Sequence, residues 1–450
     1  MKERIMKYTN TMKYKRILAI IFVSLNSIAL CQKTTTTNFE KEMEQYITRY
    51  VVNGDFSGNI LVAKGDKIIF NKSFGKAHFG LDLPMKWNHK FRIASVSKTF
   101  TSAAIVILCN KGLIGYNDML SKYIPDFIQA DSISVMHLLL HQAGIPEIEY
   151  DRLALDKLTL NEIIQTIKSK PLLFKPESRS SYSNSGYLLL AAIIEKASGK
   201  TYEKFLNENI FIPLGMFDTG VDGTGKIIPQ KVTGHNVGTG ARGIAETPWY
   251  DIDLETGSGS LYSTSQDLLK WLKAIKSNTL FDIGSLVYPF GWGKREYFKD
   301  KPSIEQSGFL NGYTSYIAVY PSQELYIIAL SNISSNFNEQ SGKDLAAIYF
   351  KEKYTLPQIR TETSTTNLKP FTGKYSFPGY KDFFIELKED ALYWRFGDEK
   401  NGSPLAPVSN DHFLLRLLNI KIVFLKDQNG MVVALNFMSG NDTIACSKIE

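Results

Sequence analysis

The chain has 450 residues, 44% of them hydrophobic, and a formal net charge of +7, enough for two or three domains with cores of their own. Six of its basic residues and one acid fall within residues 1–31, which leaves the remainder near neutral at about +2 and excludes a polybasic surface for nucleic acid or anionic lipid. The three cysteines, Cys31, Cys109 and Cys446, lie far apart in sequence and argue against a disulfide framework.

Basic residues up to Arg16 followed by an apolar run, Ile17 to Leu25, predict a secretory signal peptide over residues 1–31, too short for a good membrane span. Cleavage is expected after Ala29 or Cys31; a lipid anchor at Cys31 is the weaker alternative, because Leu30 is bulky where a small residue is expected. A polar linker follows over residues 32–38. SGNILVAKGDKIIFNKSFG then predicts two strands joined at Lys64-Gly65-Asp66. Val96, Phe100, Ala103 and Ile107 recur at helical spacing and give the next segment one apolar face. A second helix is predicted over Tyr187 to Ala197, with Asn184 or Ser185 as its cap and Gly199 as its stop. DLLKWLKAI (267–275) repeats the helical pattern, and ELYIIAL (324–330) reads as a buried strand.

Residues 361–369 carry no periodicity and predict a linker between domains at 39–360 and 370–450. Beyond it, Phe383, Ile385 and Leu387 alternate, as do Leu392, Trp394 and Phe396, and a further hairpin turns at Asn429-Gly430. This part is predicted to be a small antiparallel barrel-like domain.

Ser95 and Lys98 stand three apart at the start of the first helix, where residues i and i+3 share a face. The spacing recurs at Ser73 and Lys76, but there it falls at the end of a strand, so the two side chains cannot meet. A helix start favours developing negative charge, and a desolvated lysine can be neutral and accept a proton. Tyr182-Ser-Asn184 lies in a serine-rich turn before the second helix, where a phenol and an amide can project into a cleft. Gln306-Ser307-Gly308 reads as a small polar edge strand able to offer a hydroxyl and backbone N–H groups to a bound carbonyl. Each pattern alone also fits an ordinary helix start, cap or turn. His137 and His141 have the spacing of two zinc ligands, but no third ligand is evident and helix packing is the expected role. Gly220 to Lys226 nearly matches a phosphate loop, but Ile227 replaces the magnesium-binding hydroxyl and Pro229 interrupts the helix that should follow. No Gly-x-Ser-x-Gly elbow occurs. No metal or cofactor is expected.

In this order the three elements resemble the serine β-lactamase and penicillin-binding protein superfamily, and Tyr-x-Asn in the middle is similar to the class C (peptidase S12) branch. FSGNILVA, FRIASVSKTFTS, HLLLHQAGI, FKPESRSSYSNSGYLLLAAIIE, GSGSLYSTSQDLLKWL and QSGFLNGYTS extend the resemblance from Phe56 to Ser315. It implies an α/β (α+β) transpeptidase-like catalytic domain: an antiparallel sheet flanked by helices, plus a helical subdomain. The part after the linker resembles a lipocalin-like β-domain. The resemblance implies Ser95 as nucleophile, Lys98 as its activator, and Tyr182 sharing the proton transfer, as general base toward Ser95 and as acid toward the leaving group. It further implies Asn184 as a substrate contact, and Gln306, Ser307, Gly308 and Phe309 lining the substrate and oxyanion site, with the N–H groups of Ser95 and Phe309 as oxyanion donors.

The resemblance together with the predicted signal peptide implies an exported serine hydrolase, periplasmic or extracellular in a bacterium. It would form and hydrolyse an acyl-serine on a small ester, amide or D-amino-acid peptide, cell-wall material included. A penicillin-binding or cell-wall-fragment receptor with little turnover, and a true β-lactamase, are the alternatives. Two departures stand out. Gln306 replaces the usual lysine or histidine, which removes a charge that would attract a substrate carboxylate, and Glu177 stands where glycine is usual.

Overall fold

The computed structural model describes residues 37–148, 158–240, 242–280, 290–337, 339–360, 367–397, 402–439 and 442–449. The signal-peptide and lipid-anchor readings of residues 1–31, and most of both linkers, lie outside these residues. The chain divides into two units, residues 1–42 and 43–450. Of the first, residues 37–42 are described and include the opening of helix Asn38–Val52.

Strands β1 (Gly58–Lys64) and β2 (Lys67–Phe74) form the expected hairpin. They complete an antiparallel sheet with β3 (Gly293–Phe298), β4 (Lys301–Leu310), β5 (Tyr313–Tyr320) and β6 (Leu325–Ser331), in the order β3-β4-β5-β6-β1-β2. Every residue of β5 and β6 is buried, because helices cover both faces. On one face Ile317, Val319, Ile328 and Leu330 join the core that includes helix Ser265–Ser277. On the other, helix Glu339–Phe350 packs on β5 and β6, and its Asp344 accepts a hydrogen bond from Tyr46 at 2.8 Å.

The strand holding Gln306 is second from the edge, not the edge itself. Its neighbour β3 stops opposite Glu305, however, so among the described residues the outer side of β4 has no partner strand from Gln306 onward. The edge character read from the sequence is therefore local to the end of β4, from Gln306 to Leu310.

Helix Ser97–Asn110 is buried on all sides from Ser97 to Leu108, not on one face alone. Its polar residues are satisfied internally, as buried polar groups must be. Trp271 Nε1 donates to Thr99 Oγ1 at 3.1 Å, Thr101 Oγ1 donates to the Gly257 carbonyl at 2.6 Å, and Ser102 Oγ lies 3.2 Å from the Tyr187 hydroxyl. Phe100 stacks on Trp271 with centroids 4.2 Å apart, worth about 0.5–1.5 kcal/mol beyond the area it buries. The second predicted helix spans Asn184–Ser198. Ser183 rather than Asn184 caps it, accepting from Gly186 N at 3.0 Å, and Gly199 ends it in the left-handed region at φ +66°.

Eight antiparallel strands in sequence order, from Gly373–Tyr375 to Asp442–Ser447, make up the C-terminal part. The first and last meet where Ser376 N donates to the Ser447 carbonyl and Ile449 N to the Lys374 carbonyl, each at 2.9 Å, so the barrel is nearly closed. Phe371, Tyr375, Phe383, Phe413, Phe424 and Phe437 are buried together inside it, which makes the interior a packed core.

Candidate active site

Ser95 lies in a single 3₁₀ turn, Ala94–Val96, that runs directly into helix Ser97–Asn110. Ala94 before it is held at φ +47°, a left-handed conformation that costs an alanine free energy and that surrounding structure must impose. Part of that restraint comes from β4 and β5. Ser315 Oγ donates to the Ile93 carbonyl at 2.7 Å. A Cβ on Gly308 would come within 2.5 Å of that carbonyl oxygen and 3.0 Å of Ala94 Cβ, so only glycine lets the strand approach the turn this closely.

Three of the sequence-predicted residues converge on the serine hydroxyl. Tyr182 OH donates to Ser95 Oγ at 2.8 Å, and Lys98 Nζ lies 3.3 Å from the same oxygen. Lys98 is 1% exposed, and Nζ also donates to Asn184 Oδ1 at 2.7 Å and to the Ser258 carbonyl at 2.9 Å. The ammonium lies 4.8 Å from the centroid of the Tyr182 ring.

Desolvation dominates the electrostatics of both groups, although Tyr182 is 55% exposed overall and Lys98 is fully buried. It lowers the Lys98 ammonium to about 8, against the opposing pull of Glu255 and Glu147. It raises the Tyr182 phenol to about 12, opposed by the Ser95 hydrogen bond and reinforced by those same carboxylates. Near neutral pH the phenol is therefore a donor, and the lysine is the group with an accessible neutral form.

The third motif divides by strand alternation. Gln306 faces the nucleophile turn, its Nε2 donating to the Ser95 carbonyl at 3.4 Å, and Gly308 packs beside it. Ser307 points the other way and donates its hydroxyl to Glu339 at 3.1 Å. Phe309 carries a half-exposed side chain, and its backbone lies on the open edge of β4.

Several residues at the site escaped the sequence reading. Glu147 accepts from Asn184 N at 2.8 Å and from Ser185 N at 3.3 Å, holding the start of the second helix; burial pushes its carboxyl up. Glu255 accepts from Ser258 Oγ at 2.5 Å and so fixes the residue whose carbonyl receives Lys98. The two histidines read as helix-packing residues do different things. Helix Val135–Leu139 ends before His141, and His137 closes a capping box with Ser134. His141 lies against Tyr182, ring centroids 4.7 Å apart. Glu177, in place of the usual glycine, takes φ +67°, so the turn keeps a glycine-like conformation without the glycine.

Among the described residues no helix is long and apolar enough to cross a membrane. Residues 38–349 match the Beta-lactamase family, and residues 357–444 match a domain of unknown function (DUF3471). Penicillin-binding protein 4* of Bacillus subtilis (strain 168) is 26% identical over 426 residues, 86% of this chain and 94% of that protein. Protein flp of Staphylococcus aureus (strain N315) is 26% identical over 330 residues, 67% of this chain and 65% of that protein. The crystal structure of D-amino acid amidase from Ochrobactrum anthropi SV3 complexed with D-phenylalanine superimposes with a TM-score of 0.62 at 22% identity, covering 70% of this chain and 98% of that one.

Proposed function

The chain belongs to the Beta-lactamase family and is a serine hydrolase, and from that premise we propose that Ser95 forms an acyl-enzyme with a small amide, ester or D-amino-acid peptide, which water then hydrolyses. The convergence of Tyr182 OH and Lys98 Nζ on one serine oxygen carries this reading. Neutral Lys98 takes the Ser95 proton as Oγ attacks the carbonyl carbon. The oxyanion is received by the N–H groups of Ser95 and Phe309, a kind of contact worth about 3–4 kcal/mol per donor. Tyr182 passes a proton to the leaving group while Asn184, held by Lys98, meets the substrate amide. Water then attacks the ester by the reverse proton path. Export directed by residues 1–31, with action outside the bacterial cytoplasm, is part of the same reading.

Substrate choice turns on Gln306. An uncharged amide there favours a substrate without a carboxylate at that position. Assaying a D-amino-acid amide, a nitrophenyl ester and a chromogenic cephalosporin side by side tests this. Turnover of the amide or ester above the cephalosporin is expected; hydrolysis of the cephalosporin alone, or slow acylation without turnover of any of the three, would overturn it. Gln306→Lys should lower KM for the carboxylate-bearing cephalosporin by about tenfold and leave the neutral ester unchanged, since a charged hydrogen bond is worth about 1.5–3 kcal/mol.

The pH dependence follows from the reactive form. Because the unprotonated lysine is the base and its folded value is about 8, acylation should rise with pH and level off above about 8. Lys98→Arg should remove that rise along with most of the rate. Stopped-flow measurement of the ester burst between pH 6 and 10 checks it.

A further inference from the structure

We propose that His141 is a positioning residue that holds the Tyr182 phenol on Ser95. This rests on the role assigned to Tyr182 above. The residues on either side of Tyr182 both donate their backbone N–H to His141: Ser181 N to the carbonyl at 2.9 Å, and Ser183 N to ring Nδ1 at 3.1 Å. Between those two anchors the imidazole stacks on the Tyr182 ring at 4.7 Å, with 29° between the planes, and also lies 5.1 Å from the ring of Tyr187. One residue therefore fixes the backbone before the tyrosine, the backbone after it and the plane of the ring.

The arrangement requires an unusual backbone. His141 sits just past helix Val135–Leu139 at φ +57°, a region that non-glycine residues rarely enter. Such strain at a site residue marks a conformation maintained by its surroundings. The ring must also be neutral with its proton on Nε2, because Nδ1 accepts. Burial and the neighbouring Lys98 charge push it down to about 4, so that form prevails at neutral pH. The side chain makes no hydrogen bond to Ser95 or Lys98; its effect passes through Tyr182.

The test is the rate at which a fluorophosphonate acylates Ser95, followed by intact mass, together with kcat and KM on a nitrophenyl ester. His141→Ala should slow both acylation and kcat by about 10- to 100-fold, the scale of a small misplacement of a reacting group, with KM within twofold of wild type. His141→Asn tolerates the positive φ and keeps an acceptor for Ser183 N–H, and should recover part of the loss. The deciding measurement is a double-mutant cycle: in a Tyr182→Phe background His141→Ala should add less than twofold. Losses that multiply, a rise in KM alone, or full activity of a folded His141→Ala protein would overturn the inference. If His141→Ala does not fold, the same cycle run with His141→Asn decides. Wild type that is not labelled at Ser95 would instead overturn the proposed function, a result separate from a labelled wild type indifferent to His141.

Discussion

Ser95→Ala is expected to lower kcat/KM for a nitrophenyl ester by at least about 10⁴-fold, the scale on which removal of a nucleophile acts when its partners work as a unit, and to abolish the fluorophosphonate adduct. The loss should be kinetic and not structural. Ser95 Oγ receives Tyr182 and Lys98, and Lys98 keeps Asn184 Oδ1 and the Ser258 carbonyl as acceptors once the hydroxyl has gone. The thermal midpoint should consequently stay within a few degrees. Ser73→Ala is the paired control. Ser73 shares the Ser-x-x-Lys spacing, but it lies in β2, where its hydroxyl receives Asn59 Nδ2 at 3.2 Å, and its removal should leave the rate unchanged. An adduct that persists in Ser95→Ala, or a comparable loss in Ser73→Ala, would defeat the assignment.

That contrast also shows what was legible in the sequence. Ser95 and Lys98 were separable from Ser73 and Lys76 because helix and strand periodicities place i and i+3 differently. Alternation likewise exposed the hairpins around Gly65, Glu389 and Gly430, whose strands pair as expected. What stayed hidden lies in loops or depends on partners remote in sequence. Glu147 and the Ser258 carbonyl occupy segments without helical or strand periodicity, and nothing local marks them as neighbours of Lys98. His141 was visible within the phrase HLLLHQAGI and as half of an i, i+4 pair, a spacing that presumes one helix through both residues. The left-handed backbone at His141 breaks that premise. The local edge at Gln306 depends on where β3 stops, a pairing fact that the composition of β4 cannot carry.

A second large effect is expected far from Ser95, at Arg416. It occupies the turn after barrel strand His412–Leu415 and is 1% exposed. Its guanidinium donates to Asp55 Oδ1 at 2.9 Å, to the carbonyls of Gly54 at 2.9 Å and Asn53 at 3.0 Å, and to the Gly243 carbonyl at 2.6 Å. Arg360 reaches the other oxygen of Asp55 at 2.7 Å. The barrel is thus joined to the segment leading into β1 through one buried cation. Arg416→Met keeps much of the apolar stem but strips a donor from the carbonyls of Asn53, Gly54 and Gly243 and removes one of the two arginines paired with a carboxylate that is 2% exposed. Breaking a buried pair from one side costs about 3–5 kcal/mol, because the remaining groups are left desolvated. The midpoint of urea unfolding should fall accordingly. Lys301→Met, which removes the partly exposed ion pair with Glu352, should cost less than about 1 kcal/mol. Arg416→Lys should recover only part of the loss, since a single ammonium cannot reproduce a fork aimed at several acceptors. An Arg416→Met protein with the wild-type midpoint would mean that these hydrogen bonds contribute no net stability and that the barrel is held by its apolar contacts alone.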